Sequence, residues 1–135
     1  MAEDKNVEDR YVQLQLLQQQ VEQIADYLEK LQLQQTELDT SIEALSELQK
    51  TAVHADILAP IANGIFLKAE LKDNQRLIVN VGSGVTVEKS IPEVITLLEE
   101  QKEKIMKNIS EAETIYQQLQ EQGKKIYQEV GEAVE

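Results

Sequence analysis

An uninterrupted heptad repeat in the first third of the chain is the feature that most constrains the fold. The sequence from Asn6 to Ala52 contains no Gly and no Pro. With Val7 at position a, the a and d positions are Val7, Arg10, Leu14, Leu17, Val21, Ile24, Leu28, Leu31, Gln35, Leu38, Ile42, Leu45, Gln49 and Ala52. Ten of these fourteen are Val, Ile or Leu, which is typical of a coiled coil. We predict a helix over residues 6–53 with Asn6 as its N-cap.

A second heptad pattern occupies the last third of the chain. Ser90-Ile91-Pro92-Glu93 is a capping-box pattern, which predicts a helix over 90–133. Its seam reads Ile91, Ile95, Leu98, Lys102, Ile105, Ile109, Ala112, Tyr116, Leu119, Gly123, Ile126, Val130 and Ala133. The e and g positions of the first helix are rich in Gln, so they select no partner by charge. Two arms of about 70 and 65 Å should therefore pair with each other, antiparallel, with the chain termini at one tip.

The stretch between the two repeats, residues 55–89, alternates apolar and polar residues with period two. It predicts four strands, near 57–62, 65–71, 76–81 and 85–89. Asn63-Gly64 and Gly82-Ser83-Gly84 are tight-turn sequences, and both residues of Asn63-Gly64 tolerate positive φ. Pro60 predicts that the first strand is short, bulged or at an edge. The fold class is thus mainly α with a small β platform, a long antiparallel two-helix coiled coil joined by two β-hairpins.

The composition predicts assembly rather than an independent globule. Aromatic residues make up 4% of the chain and Trp is absent, and isolated hairpins are marginal in water. A net charge of −12 disfavours nucleic acid or an anionic membrane as partner. The N-terminus has no apolar signal-peptide core and the sequence has no Cys, so we expect a cytoplasmic protein.

The residues that could bind ligands or take part in catalysis are better explained by structural roles. Gly82-Ser83-Gly84 lacks the spacing of a phosphate-binding loop and leads into a strand. His54 is the only histidine and has no nearby ligand set. The Glu residues of the second helix alternate with Lys at spacings that permit ion pairs. We therefore expect no enzyme, no cofactor and no metal site.

Apolar residues remain near both chain termini, where a two-helix coil cannot bury them all. Exposed apolar groups among Glu and Lys residues are what a binder of non-native chains requires. The client-contact candidates are Val7, Tyr11, Leu14, Ile126, Tyr127 and Val130.

The central stretch also resembles a known family. Residues 81–89, VGSGVTVEK, are close to the VG-x-G-x-x-VEK signature of alpha-class prefoldin, also called GimC, and are preceded by ILAPI at 57–61 and LKAEL at 67–71. The similarity covers the whole chain, 1–135, as a single prefoldin-like domain. It implies a hexamer of two alpha and four beta subunits whose hairpins build a β-barrel. The assembly residues it implies are Ile57, Leu58, Ile61, Ile65, Leu67, Leu71, Leu77, Val79, Val81, Val85 and Val87.

The resemblance further implies a function. Similar chains hold unfolded polypeptides at the coiled-coil tips and pass them to a group II chaperonin without using ATP. The alternative from another class is a structural scaffold or filament subunit that assembles through its β-hairpins without binding clients.

Overall fold

The computed structural model describes the backbone of residues 2–134 and the side chains of residues 5–131. Two long helices flank two antiparallel hairpins, as the sequence predicted. The elements in chain order are α1 (Ala2–Lys50), β1 (Asp56–Ala62), β2 (Ile65–Glu70), β3 (Arg76–Gly82), β4 (Val85–Ser90) and α2 (Ile91–Val134).

The boundaries of α1 differ from the predicted ones. The helix begins at Ala2, so Asn6 lies inside it and the predicted N-cap is wrong. The residues before Asn6 include no Gly or Pro, the two residues that most strongly disfavour a helix interior. The helix ends at Lys50, and residues 51–54 form turns before β1.

The chain divides into two compact units. The terminal unit comprises residues 1–35 and 104–135, and the hairpin unit comprises residues 36–103. Both units contain a segment of each helix, and the burial of side chains follows the two heptad seams. Every predicted seam position from Val7 to Leu45 in α1, and from Ile91 to Val130 in α2, is buried or half-buried. The heptad registers are therefore confirmed over these ranges.

The α1 seam departs from the prediction at its end. Gln49 and Ala52 are exposed, whereas Ser46, Leu48 and Thr51 are half-buried. The heptad phase is lost here because the helix stops at Lys50, and the backbone beyond it no longer follows helical periodicity. The predicted seam residue Ala133 falls outside the residues whose side chains are described.

Each hairpin forms its own two-stranded antiparallel sheet. In the first, β1 and β2 pair Ala59 with Leu67, with a bulge between Pro60 and Ala62. In the second, β3 and β4 pair Val79 with Val87, with a bulge between Asn80 and Gly82. The bulge at Pro60 confirms the disturbed strand that the sequence predicted.

The two turns differ in backbone conformation. In the first turn Gly64 adopts positive φ, at 78°, and Asn63 does not. In the second turn both Ser83 and Gly84 have positive φ, 52° and 76°, as a type I′ connection requires. The second turn is therefore of the type that matches the twist of the paired strands.

Hydrogen bonds tie the ends of the helices to the hairpins within the hairpin unit. The Ser90 hydroxyl accepts the Glu93 backbone N–H at 3.3 Å, which confirms Ser90 as the N-cap of α2. The Ile91 N–H donates to the Gln75 carbonyl at 2.9 Å. At the other junction, the N–H of His54 donates to the Leu71 carbonyl at 2.7 Å. His54 has a φ of 75°, so its place in the fold is a backbone role at a sharp turn.

The hydrophobic core of the described residues is small. Its buried side chains are Leu31, Leu71, Ile91, Ala112 and Val130. Most other apolar residues are half-buried along the seams or exposed on the hairpins. The apolar surface left in contact with water agrees with the expectation that this chain assembles with others.

Candidate assembly and client-binding surfaces

The first candidate surface is the apolar face of each hairpin. Strand register places Ile57, Ala59, Leu67 and Ala69 on one face of the first hairpin. The corresponding face of the second hairpin carries Leu77, Val79, Val85 and Val87. We call these two surfaces the hairpin faces.

The hairpin faces are covered unevenly. Ile57, Ala59 and Leu77 are half-buried, whereas Leu67 and Val85 are each 55% exposed. Side chains of this size contribute about 1.5–3 kcal/mol when fully buried. Burial of the exposed parts of the hairpin faces against another chain would therefore provide stabilisation that the single chain lacks.

The predicted assembly residues do not all lie on the hairpin faces. Leu58 lies on the opposite face, since it pairs with Lys68. Ile61 and Val81 occupy the two bulges. Leu71 follows β2 and is only 7% exposed, so its own chain already buries it. The remaining predicted residues lie within the hairpin strands.

Two exposed apolar residues were not among the predicted assembly residues. Phe66 lies opposite Pro60 and is 55% exposed, and Ile78 lies opposite Glu88 and is 74% exposed. Strict alternation of apolar and polar positions puts both residues on the polar side of their strands. The sequence pattern therefore gave no reason to count them among the assembly residues. Their size and exposure identify them only once the strands are placed.

The sheet edges are also open. In the part of the chain that the structure describes, which includes both hairpins completely, β1 pairs only with β2 and β3 only with β4. The outer edge of each strand presents backbone N–H and C=O groups that another strand can pair with. Open edges beside apolar faces are the arrangement that strand addition between chains requires.

The second candidate surface is a groove of about 800 Å³ in the terminal unit, which we call the terminal groove. It lies between the two helix segments of that unit. Its lining residues are Tyr11, Leu14, Gln15, Leu17, Gln18, Val21, Glu22, Leu119, Gln120, Gly123 and Tyr127. This volume is in the range of sites that bind small ligands or short segments.

The terminal groove contains three of the six predicted client-contact residues. Tyr11, Leu14 and Tyr127 line it. Tyr11 is 54% exposed and Tyr127 is 72% exposed, so both rings are accessible. Tyrosines of this kind often dominate binding surfaces because they present a large, rigid area with a polar end.

The other three predicted client-contact residues do not line the groove. Val7 and Ile126 are half-buried in the seams, and Val130 is only 5% exposed. Conversely, sequence reasoning omitted the groove residues Leu17 and Gly123. The heptad pattern assigned both residues to the seams. A Gly at a seam position, where no side chain is present, was the signal that could have indicated an opening there.

Charged residues at seam positions form ion pairs within each unit. In the terminal unit, Arg10 pairs with Glu129. In the hairpin unit, Lys102 Nζ lies 2.6 Å from Asp39 Oδ1. Both pairs connect α1 with α2, and a polar residue at a seam position favours one helix register over others. The pairs therefore contribute specificity more than stability, because surface pairs are worth little.

Within the described residues, no group of three His, Cys, Asp or Glu side chains is arranged to hold a metal ion. None of the described helices combines the length and apolarity needed to cross a membrane.

The fold and its surfaces define a class of protein, an assembling coiled-coil subunit with a β-hairpin platform. Comparison with known proteins identifies the family. A family model described as prefoldin subunit matches residues 17–135. The chain belongs to the prefoldin family, which is a family of chaperone subunits.

The similar curated proteins are archaeal alpha subunits. Prefoldin subunit alpha of Archaeoglobus fulgidus is 27% identical over 130 residues, covering 96% of this chain and 95% of that protein. Prefoldin subunit alpha 1 of Thermococcus kodakarensis is 41% identical over 100 residues, covering 73% of this chain and 68% of that one. The resemblance to the alpha class that residues 81–89 indicated is therefore confirmed.

A solved structure shares the fold. A filamentous PFD from Methanocaldococcus jannaschii, determined by cryo-EM, superposes with a TM-score of 0.65. The superposition covers 92% of this chain and 97% of that chain at 15% identity. At this identity the similarity establishes the fold alone.

Proposed function

We propose that this chain is a subunit of an ATP-independent holdase that binds unfolded polypeptides in the terminal groove. The observation that carries the proposal is the groove itself, an open apolar surface with two accessible tyrosines at its edge. Hydrophobic contact is non-directional, so such a surface accepts many non-native sequences and selects against folded ones. Clients then pass to a group II chaperonin.

Several weak grooves acting together supply the affinity. One groove holds only a short segment of a client, so the single contact exchanges quickly. Linking several grooves in one assembly raises the effective concentration of the second contact and the overall affinity. Release then requires only competition for the individual grooves, which suits transfer to a second chaperone.

The assembly we propose is a hexamer of two alpha chains and four prefoldin beta subunits. In it the hairpin faces and open strand edges close into a β-barrel, which removes both exposed apolar area and unpaired backbone groups. Residues 1–135 act as one domain within this hexamer, in the cytoplasm. The proposal includes no catalysis, cofactor, nucleic acid or membrane partner.

The test of client binding replaces the two accessible tyrosines. We expect Tyr11→Ser with Tyr127→Ser to weaken suppression of client aggregation at least threefold, because the groove loses both aromatic side chains. Aggregation of chemically denatured citrate synthase, followed by light scattering with the assembled hexamer, measures the effect. The matched control is Tyr27→Ser, since Tyr27 is also exposed on α1 but does not line the groove.

Equal protection by the double variant and the parent would overturn the assignment of client binding to the groove. Circular dichroism and light scattering of the variants establish that helix content and mass are unchanged. Val130→Ser is a poorer test, because Val130 is buried and its replacement weakens the coiled coil itself.

The second candidate function is a scaffold or filament subunit. The observation that favours it is the shared fold with a filamentous PFD. Size-exclusion chromatography with light scattering distinguishes the two functions, using this chain alone and mixed with an archaeal prefoldin beta subunit. One discrete species near the mass of six chains, formed only in the mixture, supports the holdase. A filament or large homo-oligomer that forms with or without the beta subunit supports the scaffold function.

A further inference from the structure

We propose that the missing side chain of Gly123 makes a gap in the α2 seam that accepts one large apolar side chain from an extended client segment. The proposal deepens the proposed function and rests on it, since it assigns the substrate class of the terminal groove. It makes Gly123 the residue that determines which client side chains the groove prefers.

The position of Gly123 in the heptad is the first argument. It occupies a seam position between Leu119 and Ile126 and is half-buried. In a two-helix coil each seam side chain is a knob that fills a hole in the facing helix. Gly has no knob, and a Cβ built on Gly123 meets nothing within 4 Å. The facing hole is therefore left unfilled.

The surroundings of Gly123 show what the gap accepts. Leu14, Leu17, Val21 and Leu119 line the same groove and provide apolar contacts. A branched or aromatic side chain placed against them exchanges water for apolar surface. The gap therefore favours a large apolar side chain over a small or polar one.

The rim of the groove indicates that the occupant is a polypeptide. Gln15, Gln18 and Gln120 line the groove and are exposed. Each amide offers both donors and an acceptor, which matches the alternating N–H and C=O groups of an extended backbone. Gln120 Nε2 also donates to the Tyr116 hydroxyl at 2.9 Å, which orients this amide.

Charge complementarity adds a second preference. Among the described residues that line the groove, Glu22 is the only charged one. A client segment with a basic residue next to its large apolar residue therefore binds better than one with an acidic residue there. An acyl chain gains nothing from the Gln rim, and its carboxylate is repelled by Glu22.

Three variants separate filling of the gap from a change in helix propensity. Gly123→Leu supplies the missing knob. Gly123→Ala raises helix propensity and also adds one methyl group to the gap. Gly131→Ala makes the same propensity change at an exposed position of α2 where an added Cβ also meets nothing within 4 Å.

The experiment measures binding of fluorescein-labelled peptides to the 135-residue chain by anisotropy. The peptides have a Gly-Ser-Gln host sequence with one central Phe, Leu or Ala, flanked by Lys or Glu. For the parent chain we expect the Phe peptide to bind about tenfold more tightly than the Ala peptide. We expect Gly123→Leu to reduce this ratio to about twofold or less while raising the thermal midpoint. Gly131→Ala should keep the parent's ratio.

Two results within the peptide series would overturn the proposal. One is a parent chain that does not distinguish Phe from Ala peptides, and the other is a Gly123→Leu chain that keeps the full ratio. Decanoic acid that displaces the Phe peptide while binding more tightly than any peptide would assign the gap to a lipid instead. If Gly123→Leu folds poorly, Gly123→Ala still tests the proposal, because its added methyl group should lower the Phe-to-Ala ratio below that of the Gly131→Ala chain. Equal ratios in the two Ala chains would contradict the proposal.

Failure of this proposal is distinguishable from failure of the proposed function. If the Gly123→Leu hexamer suppresses aggregation as the parent does while the Tyr11 and Tyr127 double variant does not, the function stands and the gap is not the binding position. If the parent hexamer suppresses no aggregation, the proposed function itself fails.

Discussion

The buried start of α2 permits a quantitative test of how the hairpin unit is stabilised. Ile91 is 0% exposed, and its N–H donates to the Gln75 carbonyl at 2.9 Å. It follows the N-cap Ser90 directly. Ile91 therefore fixes the start of α2 against the segment that leads into β3, and Ile91→Ala removes the side chain while leaving the backbone hydrogen bond.

The magnitude follows from the burial. Replacing Ile by Ala removes about three methylene equivalents, and at about 0.8 kcal/mol each this lowers the free energy of unfolding by about 2.4 kcal/mol. The cavity left behind adds to this loss, so we expect a total of about 3–4 kcal/mol. Ile91→Val removes one methylene equivalent and should cost about 1 kcal/mol.

Urea unfolding followed by circular dichroism at 222 nm measures the change. Assembly makes the unfolding midpoint depend on concentration, so parent and variants are compared at one chain concentration with the same partner subunit. The thermal midpoint should fall by about 10 °C for Ile91→Ala. The matched control is Ile115→Ala, because Ile115 lies on the same helix but is 46% exposed, and it should cost less than about 1 kcal/mol.

The comparison of the two Ala variants decides the outcome. An Ile91→Ala chain that loses no more stability than the Ile115→Ala chain would show that the start of α2 is not a point of tight packing. An intermediate loss for Ile91→Val, between parent and Ile91→Ala, would support the packing explanation over a change in helix start.

Two further predictions concern polar groups of the hairpin unit. The ion pair between Asp39 and Lys102 should contribute about 0.5 kcal/mol to the free energy of unfolding. D39K should therefore lower the unfolding midpoint slightly, and the double variant D39K with K102D should restore it. A double variant no more stable than D39K would refute pairing across the two helices. Ser90→Ala removes the acceptor of the Glu93 N–H and should cost about 1 kcal/mol, whereas Ser90→Asp should keep most of the stability in urea unfolding; equal losses for both would argue against capping.

Much of this fold was readable from the chain because its elements depend on local periodicity. The seams from Val7 to Leu45 and from Ile91 to Val130 were predicted residue by residue, since a heptad repeat determines which face of a helix is buried whatever the partner. The capping role of Ser90 was equally local. The start of α1 was missed because helix ends depend on small energy differences spread over several residues.

The candidate surfaces were less predictable because they depend on distance between segments far apart in sequence. Tyr11 and Tyr127 were predicted from their positions near the chain termini, but a sequence does not show that they share one groove with Leu119. Val130 was predicted as a contact residue and is buried instead. Heptad position identifies a seam residue, while its exposure depends on how the facing helix packs.

The sequence by itself therefore determined the two helices, the four strands and the family, because heptads, strand alternation and the signature at residues 81–89 are all local patterns. Only the tertiary structure decided that Leu71 is buried within the chain, that Leu58 lies off the hairpin faces, and that Gly123 lines the terminal groove. These outcomes depend on which side chains meet across the fold, and that is fixed by three-dimensional packing rather than by spacing along the chain.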